Sequence, residues 1–339
     1  MITKEFFGTT KNGQAVHRYT LVRGGLTVQV LDYGARIQSI LAPGRDGPVD
    51  VVLGYDDLAG YEADPSHLGA FVGRVANRVE KGRFTLHGVE YQMSVNNGPN
   101  HCHGVWDQQV LKAGIEGETL LLRWHSPAGE DGLPGTVDAE MRYTLDEQGG
   151  LTLDYRAVTD ADTPINLTNH SYFNLAGGGS VLDQTLQLYA SRYTPADAVS
   201  CPTGEVLPVA GTPMDFTAPK PIGRDIEADF DQLRWAGGFD HNWCIDGEAG
   251  VLRPAAFAHC EATGVTLACE TTQPGIQFYS GNYLDGRRGK AGAVHQRRSA
   301  FCLETQHYPC SVNRPQFPSV ILHPGEEYHE VTVYRFGLK

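Results

Sequence analysis

The chain has 339 residues, 41% of them hydrophobic and 20% charged, the composition of a folded protein with a sizeable core rather than a disordered one. Its 27 Lys and Arg against 40 Asp and Glu leave a formal charge of -13, the wrong sign for gripping a nucleic acid or an anionic membrane. No apolar run reaches membrane-spanning length and no apolar segment follows the first basic residue, so the expectation is a soluble, unexported, cytoplasmic protein whose seven cysteines, lacking any Cys-x-x-Cys pair, are reduced thiols.

From the N-terminus, strands are expected at 26–31, 37–41 and 51–54, followed by a short helix at 55–62. Residues 89–95 place Val, Tyr, Met and Val at every second position, the period of a strand with one buried face. A strand at 119–125 precedes a second alternating run at 139–145. The turn Asp146-Glu147-Gln148-Gly149-Gly150 then joins that run to 151–156 as a hairpin, with glycine supplying positive φ. A strand at 185–190, a turn-rich stretch at 194–221 and a short helix at 223–233 lead to strands at 251–257, 264–271, 276–280, 300–304 and 328–336. Neither helix is long enough to cover a parallel sheet, and 40 Gly and 19 Pro fit many short elements joined by turns. The expected fold is all-β, a large antiparallel two-sheet β-sandwich spanning residues 1–339 as a single domain.

Chemistry concentrates in two segments. Residues 166–175, Asn-Leu-Thr-Asn-His-Ser-Tyr-Phe-Asn-Leu, crowd polar side chains around His170 within an apolar frame, and buried polar groups need partners or a polar ligand. A lone histidine in a strand is commonly structural. With Asn166, Asn169, Ser171 and Asn174 available to orient both the imidazole and a ligand, a catalytic role is favoured here, and the two sequons at Asn166 and Asn169 are read as part of the site. Residues 303–309 set Glu304 directly after the apolar Phe301-Cys302-Leu303, where a carboxylate must be paired or face a pocket.

Other motifs carry two readings each. His101-Cys102-His103 is a His-x-His that either ligates a metal, with Glu304 and His307 as further donors, or donates hydrogen bonds to sugar hydroxyls; the second is preferred because no other zinc-site spacing accompanies it. Arg74 and Arg78 flank Asn77, one suited to a structural ion pair and the other to polyol oxygens. Asp240, after Gly237-Gly238, is either an Asx-turn residue or a carboxylate for two sugar hydroxyls. The basic stretch from Arg287 to Arg298 is a solvated loop or a phosphate contact. Dinucleotide, phosphate-loop and nucleophile-elbow motifs are missing.

These residues are also ordered as in a known family. Gly73-Arg74-Val75-Ala76-Asn77-Arg78, Gly98-Pro99-Asn100-His101, 166–177, Pro202-Thr203-Gly204-Glu205, Gly238-Phe239-Asp240-His241-Asn242, Pro274-Gly275-Ile276-Gln277 and Leu303-Glu304-Thr305-Gln306-His307 together resemble the aldose 1-epimerase family, the galactose mutarotases, over nearly the whole chain. The resemblance implies a β-supersandwich and an isomerase that interconverts the anomers of free aldohexoses without cofactor or metal. It implies His170 as general acid, Glu304 as general base, and Asn77, Arg78, His103, Asp240 and Gln277 as sugar-positioning residues, with His103 also near the ring oxygen. The base takes the C1 hydroxyl proton while the acid protonates the ring oxygen, which calls for a protonated His170 beside an ionised Glu304. Two alternatives stand beside it: a hexose-phosphate mutarotase using the Arg287 to Arg298 patch, and a non-catalytic sugar-binding module, which would not need both His170 and Glu304. The chain departs from the family pattern at Gly104-Val105-Trp106-Asp107-Gln108-Gln109, where Val105 replaces a second glycine and the loop is expected to reshape the wall beside His103.

Overall fold

The computed structural model describes residues 2–339. The chain opens with a five-stranded antiparallel meander, Ile2–Thr9, Ala15–Arg23, Leu26–Leu31, Ile37–Gly44 and Gly47–Asp50, in sequence order. Its first strand is mostly exposed, without the apolar alternation that marks a half-buried strand, and the sequence reading passed over it. The strand expected at 51–54 is buried but pairs only through a single bridge from Val52 to Phe173.

Two larger sheets form the sandwich. One has nine strands, built outward from Gly150–Thr159 and Tyr328–Leu338, and the other has six, with Gly275–Tyr279 and Asp240–Cys244 at its centre and Phe301–Gln306 beside the first of these. The expected hairpin is present in the nine-stranded sheet with Ala139 opposite Ala157 and Leu145 opposite Leu151. Its turn is held by Asp146, whose Oδ1 accepts from the amides of Gln148 and Gly150 at 2.8 Å each, while Gly149 takes a φ of 75°. Helix is confined to Leu58–Glu62, capped by Asp57, and Asp231–Ala236. The second starts eight residues later than expected and stops at Gly237, which adopts the left-handed C-cap conformation. No helix of the described residues is long and apolar enough to cross a membrane.

Register in the six-stranded sheet decides what each face carries. Asn242 pairs with Gln277 and Gln277 with Glu304, while Tyr279 pairs with both Asp240 and Cys302. Since side chains alternate along a strand, Asp240, Gln277, Tyr279, Cys302 and Glu304 share one face, and Trp243, Ile276, Phe278, Phe301 and Leu303 share the other. The second set is fully buried against the nine-stranded sheet, where the Tyr334 hydroxyl donates to the Leu303 carbonyl at 2.7 Å. The first set is covered by loops.

Phe278 lies at the centre of the inner face, with ring centroids 5.3 Å from Phe239, 5.4 Å from Phe216 and 5.8 Å from Trp243. Phe278→Ala is expected to destabilise the fold by about 3–5 kcal/mol through the cavity it leaves. Urea unfolding measures this, and a loss under 1 kcal/mol would mean the inner face is not the packed core described.

Candidate active site

A cleft of about 330 Å³ opens over the outer face of the six-stranded sheet, within the size range of small-molecule sites. The sheet supplies its floor: Glu304, Asp240, Tyr279 and Tyr172. Asn77, Arg78 and His103 form one wall, Pro65, Ser66 and His67 another, and His170 stands between them. Gln277 does not line the cleft but fixes a residue that does. Its Nε2 donates to Asp240 Oδ1 at 2.8 Å, and Arg78 Nη2 donates to Asp240 Oδ2 at 3.3 Å, so the carboxylate is held from two sides. Burial disfavours the Arg78 charge, but Asp240 and other nearby groups together oppose it and keep the guanidinium firmly protonated.

The first wall depends on two residues with left-handed backbones, Asn77 at a φ of 60° and His103 at 72°. Gly104 follows at 69°, where a Cβ would collide with the Gly73 carbonyl. Val105 itself has a φ of -132°, so the valine costs nothing there, and the chain continues into a 3-10 turn at Trp106–Gln108. The wall beside His103 is closed by His67, whose ring lies 5.0 Å from that of His103.

The same turn separates the two histidines of the His-x-His motif. His101 is fully buried away from the cleft, with Nδ1 2.8 Å from the Ser94 carbonyl and Nε2 accepting from the Gly104 amide at 3.0 Å. His103 accepts the Asn77 amide on Nδ1 at 3.3 Å, so in the neutral ring the proton sits on Nε2 as a donor. Burial, reinforced by His170, His67 and Arg78, holds its pKa well below the usual imidazole value.

His170 stacks on Tyr172 with ring centroids 5.0 Å apart and an interplanar angle of 14°. Its Nδ1 lies 3.5 Å from the Cys302 sulfur, a thiol that burial keeps protonated, and its Nε2 lies 3.6 Å from Glu304 Oε2. That oxygen has no hydrogen-bond partner, although Glu304 is only 2% exposed. Burial raises the Glu304 carboxyl well above its ordinary value and lowers His170 to about 3, with the nearby His67 adding to the second effect. Burial alone thus favours the neutral form of each group, the carboxyl of Glu304 and the unprotonated imidazole of His170. The attraction expected to favour an ion pair is smaller than the desolvation that opposes it. Ligand atoms of His103, His170 and Glu304 lie within 4.8 Å of one another, so among the described residues these three could together hold a metal.

Several expected participants sit elsewhere. His307 turns away from the cleft to Gln273 Oε1 at 2.9 Å. Asn166, Asn169 and Asn174 spend their amides on the carbonyls of His307, Gly69 and Ser299, at 3.2, 2.9 and 2.7 Å, so they staple the loops around His170 rather than bind a ligand, and their burial removes the sequons as acceptors. Arg74 forms no ion pair; it donates to the Pro134 and Gly135 carbonyls and to Thr163 and Ser126 hydroxyls. The structural arginine and the ion-paired arginine are thus different residues. In the basic stretch, Arg287 pairs with Asp285, Lys290 with Asp50 and Arg298 with Glu227, and none of these cations lines the cleft. The sequence reading missed His67, Asp107 and Arg36, which lie in loops with no motif, and Tyr172, which stood in the motif as a mere neighbour.

A family model described as aldose 1-epimerase matches residues 17–335. The galactose mutarotase of Bos taurus is 43% identical over 350 residues, covering 99% of this chain and 99% of the relative. The aldose 1-epimerase of Escherichia coli (strain K12) is 34% identical over 334 residues, covering 96% of each chain. Among solved structures, the galactose 1-epimerase of Lactobacillus acidophilus NCFM has a TM-score of 0.87 at 29% identity, covering 100% of this chain and 99% of that one. The aldose epimerase homologue from C. elegans has a TM-score of 0.88 at 28% identity, with 99% of each chain covered.

The Arg78–Asp240 pair is nearly shut off from solvent, so removing one charge strands the other. Asp240→Asn is expected to lower stability by about 1–3 kcal/mol. Chemical denaturation reads this, and Asp240→Asn combined with Arg78→Met should recover part of the loss; an additive double variant would show that the two side chains do not interact.

Proposed function

The chain belongs to the aldose 1-epimerase family and is an isomerase of aldose anomers, and from that premise we propose that it opens and recloses the rings of free aldohexoses such as glucose and galactose, with Glu304 and His170 exchanging the protons. The observation that carries this is the unpartnered Glu304 Oε2 on the buried cleft floor, facing His170 Nε2 at 3.6 Å. A carboxylate oxygen without a partner in a protein interior is costly unless a ligand hydroxyl completes it.

The pair holds one proton throughout the cycle. With the closed sugar bound, the C1 hydroxyl donates to Glu304 and the ring oxygen accepts from His170. Both contacts stabilise charged forms that burial alone disfavours. As the ring opens, the C1 hydroxyl proton passes to Glu304 and the His170 proton passes to the ring oxygen, which leaves the sugar as a free aldehyde. The protein is then left with neutral Glu304 and neutral His170, the distribution its own burial prefers. The fold therefore favours the protonation state of the open-chain step, which lowers the cost of reaching it. Rotation about C1–C2 exposes the other carbonyl face, and the two transfers reverse to close the ring as the opposite anomer.

The remaining cleft residues hold the sugar in this reading. His103 presents Nε2–H towards the ring oxygen, and Asp240 takes sugar hydroxyls while Arg78 and Gln277 fix its plane. Asn77, whose Oδ1 accepts from the Arg78 amide at 2.8 Å, keeps its NH₂ available as a donor. The aromatic Tyr279 and Tyr283 give the apolar face of a pyranose a surface. The free cysteines and the lack of a long apolar helix among the described residues support work in the cytoplasm.

Polarimetry of freshly dissolved α-D-glucose and α-D-galactose tests the reading. Wild-type protein should speed the approach to an unchanged final rotation, and Glu304→Gln and His170→Asn should each reduce kcat by about 10²–10⁴-fold. No acceleration by folded wild type would remove the hexose assignment.

The pH profile follows from the proton count. Adding a second proton to the pair abolishes the base, and this occurs only below the depressed His170 pKa of about 3. Removing the last proton abolishes the acid, and this occurs only above the raised Glu304 pKa. The kcat/KM profile should therefore be a bell whose acid limb shows no break near pH 6.5, where an ordinary histidine titrates at about 6.5. A break near 6.5 in the acid limb would assign the proton to an unperturbed imidazole and contradict the scheme.

A further inference from the structure

His67 lines the cleft with 20% of its side chain exposed, and its Nδ1 lies 3.0 Å from Asp107 Oδ2. Asp107 is 2% exposed, and the same oxygen accepts from Arg36 Nη2 at 3.0 Å. Burial alone would raise the Asp107 carboxyl, but the His67 hydrogen bond and the Arg36 guanidinium hold it below the usual carboxylate range. An ionised acceptor at Nδ1 places a proton there, so in its neutral form the His67 ring offers Nε2 as an acceptor. Among the cleft imidazoles this complements His103, whose Nε2 donates.

The arrangement is expensive for a purely structural contact. His67 has a left-handed backbone at a φ of 56°, held by the turn in which Asp64 accepts from the amides of Ser66 and Leu68 at 3.0 Å each. Arg36 already neutralises Asp107 and is itself clamped, donating to the Leu68 carbonyl at 2.9 Å with the Tyr33 and Tyr61 rings 5.5 and 5.4 Å away. Gly34 has a φ of 64°, and a Cβ there would collide with the Asp107 carbonyl, so the meander turn is shaped to let Asp107 approach. Charge balance does not require the histidine. Its ring lies 5.0 Å from that of His103 and 6.2 Å from that of His170, among the groups that face the ligand.

We infer that His67 is a specificity-determining residue of the sugar site, accepting a hydrogen bond from one aldose hydroxyl, with Asp107 as its positioning residue and Arg36 as the anchor of Asp107. The inference rests on the mutarotase reading and assigns that site a further contact, outside the acid/base pair. The hydroxyl is one other than that at C1, which faces Glu304.

The test compares wild type, His67→Ala, His67→Gln and Asp107→Asn on a parent aldohexose and its four monodeoxy analogues lacking the hydroxyl at C2, C3, C4 or C6. All of these retain the anomeric centre and so still mutarotate. His67→Ala should raise KM for the parent sugar by about 10-fold while kcat changes less than 3-fold. For one analogue, the one lacking the hydroxyl that His67 accepts, wild type and His67→Ala should have equal KM. Asp107→Asn, which disturbs the tautomer but not the ring, should show a smaller KM increase for the same sugars. Circular dichroism checks folding, and His67→Gln supplies a hydrogen-bonding replacement should the alanine variant fail to fold. An equal KM penalty across all five sugars, or none, overturns the inference. If wild type accelerates none of them, the mutarotase reading falls separately. Equilibrium binding of the same sugars by saturation-transfer NMR then decides whether His67 contacts a hydroxyl.

Discussion

Glu304 is held in the protein interior with one carboxyl oxygen that nothing in the protein bonds. Its cost can be lowered in two ways, by protonation or by a ligand, and the site is built around that choice. Burial alone favours the protonated carboxyl. A sugar hydroxyl offers the other solution by donating to the orphaned oxygen. The same burial disfavours the charged form of His170, whose Nε2 faces that oxygen at 3.6 Å.

That burial originates in the sheet. Most sandwich strands have one wet face, but Phe301–Gln306 is buried on both, with Phe301 and Leu303 in the core and Cys302 and Glu304 under the loops. Register then aligns the neighbouring strands so that Gln277 is opposite Glu304 and diagonal to Asp240, close enough to bond it. A slip of one residue would send Glu304 into the hydrophobic core and Leu303 into the cleft. Packing of Phe278 and Trp243 between the sheets therefore fixes the position of the carboxylates, although neither ring lines the cleft.

Much of this was legible in the residues. The alternation at 139–145 and 151–156 gave the hairpin, and a carboxylate after Phe301-Cys302-Leu303 could only face a pocket or a partner. His170 from the polar segment lines the cleft, whereas the asparagines around it do not. Their amides bond carbonyls of distant loops, and a sequence shows polar density without showing whether backbone or ligand consumes it. Ile2–Thr9 was missed because an exposed strand carries no apolar period. His67 was missed for another reason: it gains its meaning only from Asp107, 40 residues later, and Arg36, which no local pattern joins to it.

The floor and the walls of the cleft are made by different physics. Floor residues are set by strand pairing, where each side chain's position is tied to every other in the sheet. The wall residues His67, Asn77 and His103 all have positive φ, at 56°, 60° and 72°, in loops whose shape is held by hydrogen bonds particular to each. Asparagine and histidine tolerate this region better than most residues, and the conformation turns each side chain out of line with its strand or turn. A change in the floor disturbs the core behind it, whereas a change in a wall is contained within one loop. Glu304 and Asp240 therefore sit on the part of the fold that cannot drift. His67, Asn77 and His103 sit on the part that can vary while the strand register is retained.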